Sequence, residues 1–206
     1  MKNLIKRLFP FACLLALCVG MTAYAADDTI LKGVTIGEVD VSGMTRDEAG
    51  RAVDAYAQRV SGQTVALMVG SETVEAKLSD FGLVWSNKDV LDEAVGIGRV
   101  GNIVKRYKEQ KDLQHSGKTL TLEWETDKAL VKSFVEEQCT KYDQKAQNAS
   151  LTRENGAFNF VAGKQGLELD VDASVQAVMD YLETGLTDGN AEAKVELVTK
   201  ITEPEG

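Results

Sequence analysis

Histidine, cysteine and basic charge are what this 206-residue sequence has least of. Its one histidine, His115, lies in the polar stretch QHSGK. A nucleophilic hydrolase needs an activated Ser, Cys or Thr together with a base to activate it. No GxSxG elbow surrounds any serine. Of three cysteines, Cys13 and Cys18 fall in an N-terminal apolar run, which leaves Cys139 alone in the remainder. A lone cysteine closes no internal disulfide, so the fold has to be held by its core. One histidine and one cysteine make no tetrahedral zinc set unless carboxylates supply most of the ligands. Asp170-Val171-Asp172 and Asp188-Gly189-Asn190 carry oxygen ligands, yet neither opens a calcium loop of the EF-hand kind. Capping and turn formation account for both. No metal, cofactor or catalytic group is expected.

Basic residues number 23 against 32 acidic ones, for a net charge of −9. That balance argues against nucleic acid as a partner and against adhesion to anionic lipid by charge alone. Nor do the carboxylates point to glycoside hydrolysis, since none is set in an aromatic-rich cleft signal.

Three of the basic residues, Lys2, Lys6 and Arg7, open the chain ahead of the run LFPFACLLALCVG. Ala23-Tyr24-Ala25 then supplies small residues before Ala26. This is the pattern of a secretory signal peptide over residues 1–25. The apolar core is short and interrupted by Pro10, so a membrane span is not expected after cleavage. An uncleaved N-terminal anchor is the alternative. Residues 26–206 are enough for one large or two small domains.

Val34, Ile36, Val39 and Val41 predict an extended segment, with Gly37 as a bulge or close approach. Thr45 and Glu48 form a capping box, and Ala49, Ala52, Val53, Tyr56 and Val60 share a helical face. TVALMV and ETVEAKL alternate around Gly70-Ser71, a hairpin signal. After Phe81-Gly82-Leu83 and Trp85, Asn87 is expected to cap a second helix that ends at glycines in IGRVGN. Residues 104–118 are polar and basic and read as a linker or long surface loop.

The order then repeats. Leu120, Leu122 and Trp124 predict a strand. Leu130, Val131, Phe134 and Val135 mark a helix with Cys139 on its buried side. Asn155-Gly156 predicts another hairpin, because both positions tolerate positive φ. Asp172 is expected to cap a helix with Val175, Val178, Met179 and Leu182 inward. Residues 187–190 turn the chain into a last strand at 193–198. The expected class is α+β: two similar strand–helix–hairpin–helix subdomains with mainly antiparallel sheets, at 26–103 and 119–206.

Candidate ligand contacts are few. Trp124 alternates with Leu120 and Leu122 and reads as core, whereas Trp85 follows a loop and is more open to a surface role. The segment from Gly96 to Asn102 closes a helix and lacks a Gly-Lys-Ser/Thr ending, so it is no phosphate loop. Arg99 and Asn102 offer hydrogen bonds to an acidic or amide ligand such as a peptide stem. The alternative is a helix C-cap with Arg99 on terminal carbonyls.

GVTIGEVDVSGMTRDEAGRAV, the FGLVW loop, AVGIGRVGN and NASLTRENGAFNFVAGKQGLELDVDASVQAV together resemble the YoaR-like peptidoglycan-binding module. Such modules precede VanW domains, and a similar one precedes L,D-transpeptidase domains, in exported bacterial envelope proteins. The resemblance implies an extracytoplasmic, non-catalytic module, secreted or associated with the cell wall. Peptidoglycan or another envelope component is the implied partner, with Trp85, Arg99 and Asn102 as contacts. A protein-interaction or spacer role, for an envelope partner or for a following VanW or transpeptidase domain, is the alternative.

Overall fold

The computed structural model describes residues 28–184 and 193–204. The expected signal peptide at 1–25 and the expected turn at 187–190 lie outside the described residues. The chain opens with strands β1 (Val34–Ile36) and β2 (Val39–Asp40), helix α1 (Arg46–Ser61), and strands β3 (Thr64–Val69) and β4 (Glu72–Lys77). A 3-10 turn at Leu78–Phe81 leads to β5 (Val84–Trp85), α2 (Val90–Gly96) and α3 (Ile103–His115). Then come β6 (Lys118–Leu120), β7 (Trp124–Glu125) and α4 (Lys128–Gln138). The hairpin β8 (Ser150–Glu154) and β9 (Ala157–Val161) is followed by β10 (Gly166–Leu169), α5 (Val171–Thr184), β11 (Lys194–Glu196) and β12 (Thr199–Thr202). The class is α+β, with small and mainly antiparallel sheets.

Local chemistry places α1 where the sequence puts it. The Thr45 hydroxyl accepts from the Glu48 amide, and the Glu48 carboxylate accepts from the Thr45 amide. One face then buries Ala49, Val53, Tyr56, Ala57 and Val60. Burying a Val-sized side chain contributes about 1.5–3 kcal/mol, so this stripe outweighs the cap in holding the helix.

Elsewhere neighbours override the local reading. The segment 34–41 is no single strand. Gly37, at φ 55°, reverses it into a tight hairpin in which Ile36 faces Val39. The expected linker is largely helix: α3 spans Ile103–His115. It buries only Leu113, so no apolar stripe announces it, yet Lys, Arg, Glu and Gln are strong helix formers. Asn87 does not cap α2. Its side chain accepts from the Glu123 amide and donates to the Thr121 carbonyl, holding the stretch that interrupts the expected 120–124 strand. The cap of α5 falls at Asp170 instead of Asp172, with the Asp170 carboxylate accepting from the Ala173 amide.

The two halves of the element order are interlocked. β6 pairs in parallel with β1, β11 pairs in parallel with β3, and β5 pairs with β7. α4 and α5 pack on each other, and Phe134 of α4 meets Phe81 edge-on with centroids 5.5 Å apart. The buried apolar residues form one cluster that runs from Ile30 to Leu197. Ser174 is the buried polar side chain within it among the described residues. Its hydroxyl accepts from the Val198 amide and donates to the Val198 carbonyl, tying α5 to the β11–β12 turn.

Candidate binding groove beside helix α2

The loop from Ile97 to Asn102 turns the chain from α2 into α3 and leaves a groove between the two helices. Gly98 (φ 69°) makes the turn possible. A Cβ there would lie 2.6 Å from Leu31 Cδ1 and 3.0 Å from Gln110 Cγ, so the close approach also requires glycine. From α3, the Glu109 carboxylate accepts from the Gly98 amide at 2.7 Å, and the Gln110 amide donates to the Gly98 carbonyl at 2.8 Å. Asn102 caps α3 by accepting from the Lys105 amide at 2.9 Å.

The groove encloses about 390 Å³. Ile97 and Leu113 give it an apolar floor, while Asp92, Glu93, Glu109 and Asp112 face Lys105 and Lys118 along its walls. Lys105 Nζ lies 3.6 Å from Glu109. At the lip, Val100 is exposed, as are Ile103, Val104 and Tyr107 on the first turns of α3. A ligand carrying both ammonium and carboxylate groups finds complements to each here, beside apolar surface.

A second cavity of about 440 Å³ opens on the opposite flank of α2, lined by Arg46, Asp54, Trp85, Lys88 and Leu91. The ridge between the two is an ion pair. Arg46 lines one cavity, Asp92 lines the other, and the guanidinium donates to both oxygens of the carboxylate. The Arg46 hydrogen bond holds Asp92 below the ordinary carboxylate range, and Asp92 in turn raises Arg46. Asp92 thus brings little uncompensated charge to the groove, which leaves Glu93 and Asp112 as its free acids among these wall residues.

The three residues singled out from sequence have separate stations. Trp85 is buried at 5% exposure. Its indole N–H donates to Asp54 at 2.7 Å, and Lys88 Nζ sits 3.2 Å over its ring. Stacking a sugar there would require displacing the ammonium. Arg99 donates to the Thr29 carbonyl and so ties the α2–α3 loop to the start of the described chain. Asn102 is the α3 cap. Arg99 and Asn102 build the loop that closes one end of the groove, and Trp85 supports the neighbouring cavity. The residues that line the groove were missed because α3 was read as loop. The spacing of Lys105, Glu109 and Asp112, at i, i+4 and i+7, places all three on one helix face and was the available signal.

Neither His115 nor Cys139 lines this site. His115 is exposed at the end of α3, and Cys139 is fully buried, with burial raising its thiol to about 11. Among the described residues, no group of three or more His, Cys, Asp or Glu is placed to hold a metal ion, and no helix is long and apolar enough to cross a membrane.

Residues 74–189, more than half of the chain, match the model of a family described as "Putative peptidoglycan binding domain". The chain belongs to this family. The matched region starts in β4 and runs past α5, so it takes in the whole α2–α3 groove, the α2–α3 loop and the β8–β9 hairpin, but only the Trp85, Lys88 and Leu91 side of the second cavity. No curated protein and no solved structure matches the chain.

Proposed function

We propose that this protein is an exported, non-catalytic module of the cell envelope that binds peptidoglycan, with the α2–α3 groove receiving the peptide stem. The observation that carries this is the coincidence of the family's matched region with a groove of mixed charge. Stem peptides present carboxylates and amines on an extended backbone. Lys105 and Lys118 answer the first, and Glu93 and Asp112 the second. Trp85, Arg99 and Asn102 contribute by fixing the walls, the role their hydrogen bonds support. Residues 1–25 direct export, and the mature chain acts outside the cytoplasm, at the wall or free of the cell.

The test is co-sedimentation of the purified mature protein with isolated cell walls. The wild type is expected in the pellet, and the charge reversals Lys118→Glu and Asp112→Lys are expected to shift it to the supernatant. Sedimentation no greater than that of an inert acidic protein would sink the proposal.

A second reading is favoured by one observation. Val100, Ile103, Val104 and Tyr107 are between 61% and 74% exposed on one stretch of chain, as a docking surface for an envelope protein or a following domain would be. A pull-down from envelope extract separates the two. A partner lost on Tyr107→Ser, with wall binding unchanged, would support the interaction role.

A further inference from the structure

The hairpin β8–β9 stands apart from every cavity described above. Its strands pack on each other, and no other described element packs substantially against them. The ribbon is anchored at its base, where the Gln147 and Lys164 backbones exchange two hydrogen bonds of 2.8 Å. A Cβ on Gly163 would lie 2.9 Å from Pro204, so the base sits tight against the residues that follow β12. The register pairs Leu151 with Phe160 and Arg153 with Phe158. With side chains alternating along each strand, these four residues share one face. Phe158 is 67% exposed, Phe160 70% and Leu151 64%, and the Arg153 guanidinium lies 5.3 Å from the Phe158 ring centre.

Two observations decide what this face fits. The first is charge. Residues 144–164 carry Lys145, Arg153 and Lys164 against Glu154 alone, a local excess of positive charge on a chain whose net charge is −9. Its complement is anionic. The second is area. An aromatic side chain buries roughly 150–250 Å² when fully covered, so covering this partly exposed face removes on the order of 300–400 Å² per copy. Two copies face to face would bury well under the roughly 1,200–2,000 Å² of a stable protein interface. A second copy of the chain is therefore a poor occupant. A wall polymer needs no such area from this face alone, because the α2–α3 groove and the ribbon are two linked contacts for one ligand.

We infer that the Leu151–Arg153–Phe158–Phe160 face of the ribbon is a glycan-strand contact, distinct from the α2–α3 groove. The ligand is a polysaccharide bearing carboxylates. Pyranose rings present apolar C–H faces that lie flat on the Phe158 and Phe160 rings, and Arg153 pairs with a carboxylate substituent. Phe158 and Phe160 stand about 7 Å apart along the strand, which presents two successive platforms to an extended chain. The inference rests on the wall-binding reading and adds a division of labour to it: groove for peptide, ribbon for sugar.

The probe is peptidoglycan glycan strands freed of peptides by an amidase, which keep their sugar rings and expose lactyl carboxylates. Binding of the mature protein is measured by isothermal titration alongside co-sedimentation with intact walls. The wild type is expected to bind the bare strands. Phe158→Ala/Phe160→Ala is expected to lose roughly tenfold or more in affinity, and Arg153→Gln less. Lys118→Glu is expected to keep bare-strand binding while losing intact walls. All of these side chains are exposed, and an unchanged circular dichroism spectrum and melting temperature would show that the ribbon variants fold. Wild type that sediments with walls but ignores bare strands, or ribbon variants that bind them unimpaired, overturns this inference and leaves wall binding standing. Preference for anionic lipid vesicles over bare strands overturns it as well. Absence of binding to walls and strands alike removes both.

Discussion

Two of the described β-hairpins, β3–β4 and β8–β9, stand in matching places of the element order, and they have opposite fates. β3–β4 turns at Gly70 (φ 61°), and β8–β9 at Asn155-Gly156 (φ 51° and 83°). Strand lengths are alike in the two, and each turn rests on left-handed backbone, at one residue in the first and at two in the second. The first is nevertheless extended by β11 into a three-stranded sheet, and its alternate residues Val65, Leu67, Val69, Val74 and Ala76 are buried. The second pairs with no further strand among the described residues, and every side chain described on β9 is exposed. A two-stranded ribbon alone in water is marginally stable at best. One hairpin is therefore scaffold. The other keeps large apolar side chains in solvent, where the fold gains nothing from them.

The contrast is sharpest in a pair of leucines. Leu67, in β3, is fully buried, whereas Leu151, in β8, is 64% exposed. Leu67→Ala leaves a cavity in the central cluster and is expected to cost about 3–5 kcal/mol in urea unfolding. Leu151→Ala is expected to change stability by no more than about 0.5 kcal/mol. Similar losses at both positions would mean that the ribbon packs on the body in solution, and the proposed glycan face would then be covered.

The turns give a smaller effect of the same kind. Gly70 and Gly156 both hold left-handed backbone, which costs a residue with a Cβ about 1–2 kcal/mol. A Cβ on Gly70 would also lie 2.9 Å from Leu167 Cδ1, while one on Gly156 meets nothing within 4 Å. Gly70→Ala is therefore expected to lower the unfolding free energy more than Gly156→Ala does. The latter is expected mainly to loosen the ribbon, seen as faster amide exchange in β8 and β9 without a matching global loss. Equal global losses would contradict the independence of the ribbon.

The same split between local and tertiary causes decides what could be read from the sequence. α1 was legible because its cap and its stripe agree, with Thr45 and Glu48 at one end and Ala49, Val53 and Tyr56 along one face. Both hairpins were legible from their glycines. The interlocking was not, because nothing local in Val34–Ile36 or Lys118–Leu120 says that these strands will pair in parallel across the chain. Nor was α3, whose only buried residue is Leu113. The groove depends on α3, so Glu109 and Asp112 escaped notice while Arg99 and Asn102, which build its end, were picked out for their polarity. Trp85 reads as an open loop residue until Asp54, distant in sequence, takes its indole N–H and Lys88, three residues on, closes over its ring.

Caps offer the finest probe of that split, because α1 and α3 share a capped start but not a buried face. Thr45→Ala removes the hydroxyl that accepts from the Glu48 amide and is expected to cost about 1 kcal/mol globally, since α1 folds with the core. Asn102→Ala removes a similar bond to the Lys105 amide, but from a helix with little tertiary support. It is expected to speed amide exchange across the first turn of α3 and to leave the global unfolding midpoint nearly unchanged. Acid should separate the two helices in the same direction. The Thr45 amide, followed by its hydroxyl, holds the Glu48 carboxyl below its usual range. A depressed carboxyl stabilises the fold above its unfolded-state value, and that contribution is lost as pH falls through the lower, folded-state value. Thr45→Ala/Glu48→Gln should therefore lose less stability than the wild type on acidification across the carboxylate range. In Asn102→Ala the acid dependence should be unchanged, because Asn102 does not titrate. A large global loss from Asn102→Ala would mean that α3 is bound into the core more firmly than its one buried side chain indicates, and the groove it borders would then be a rigid slot.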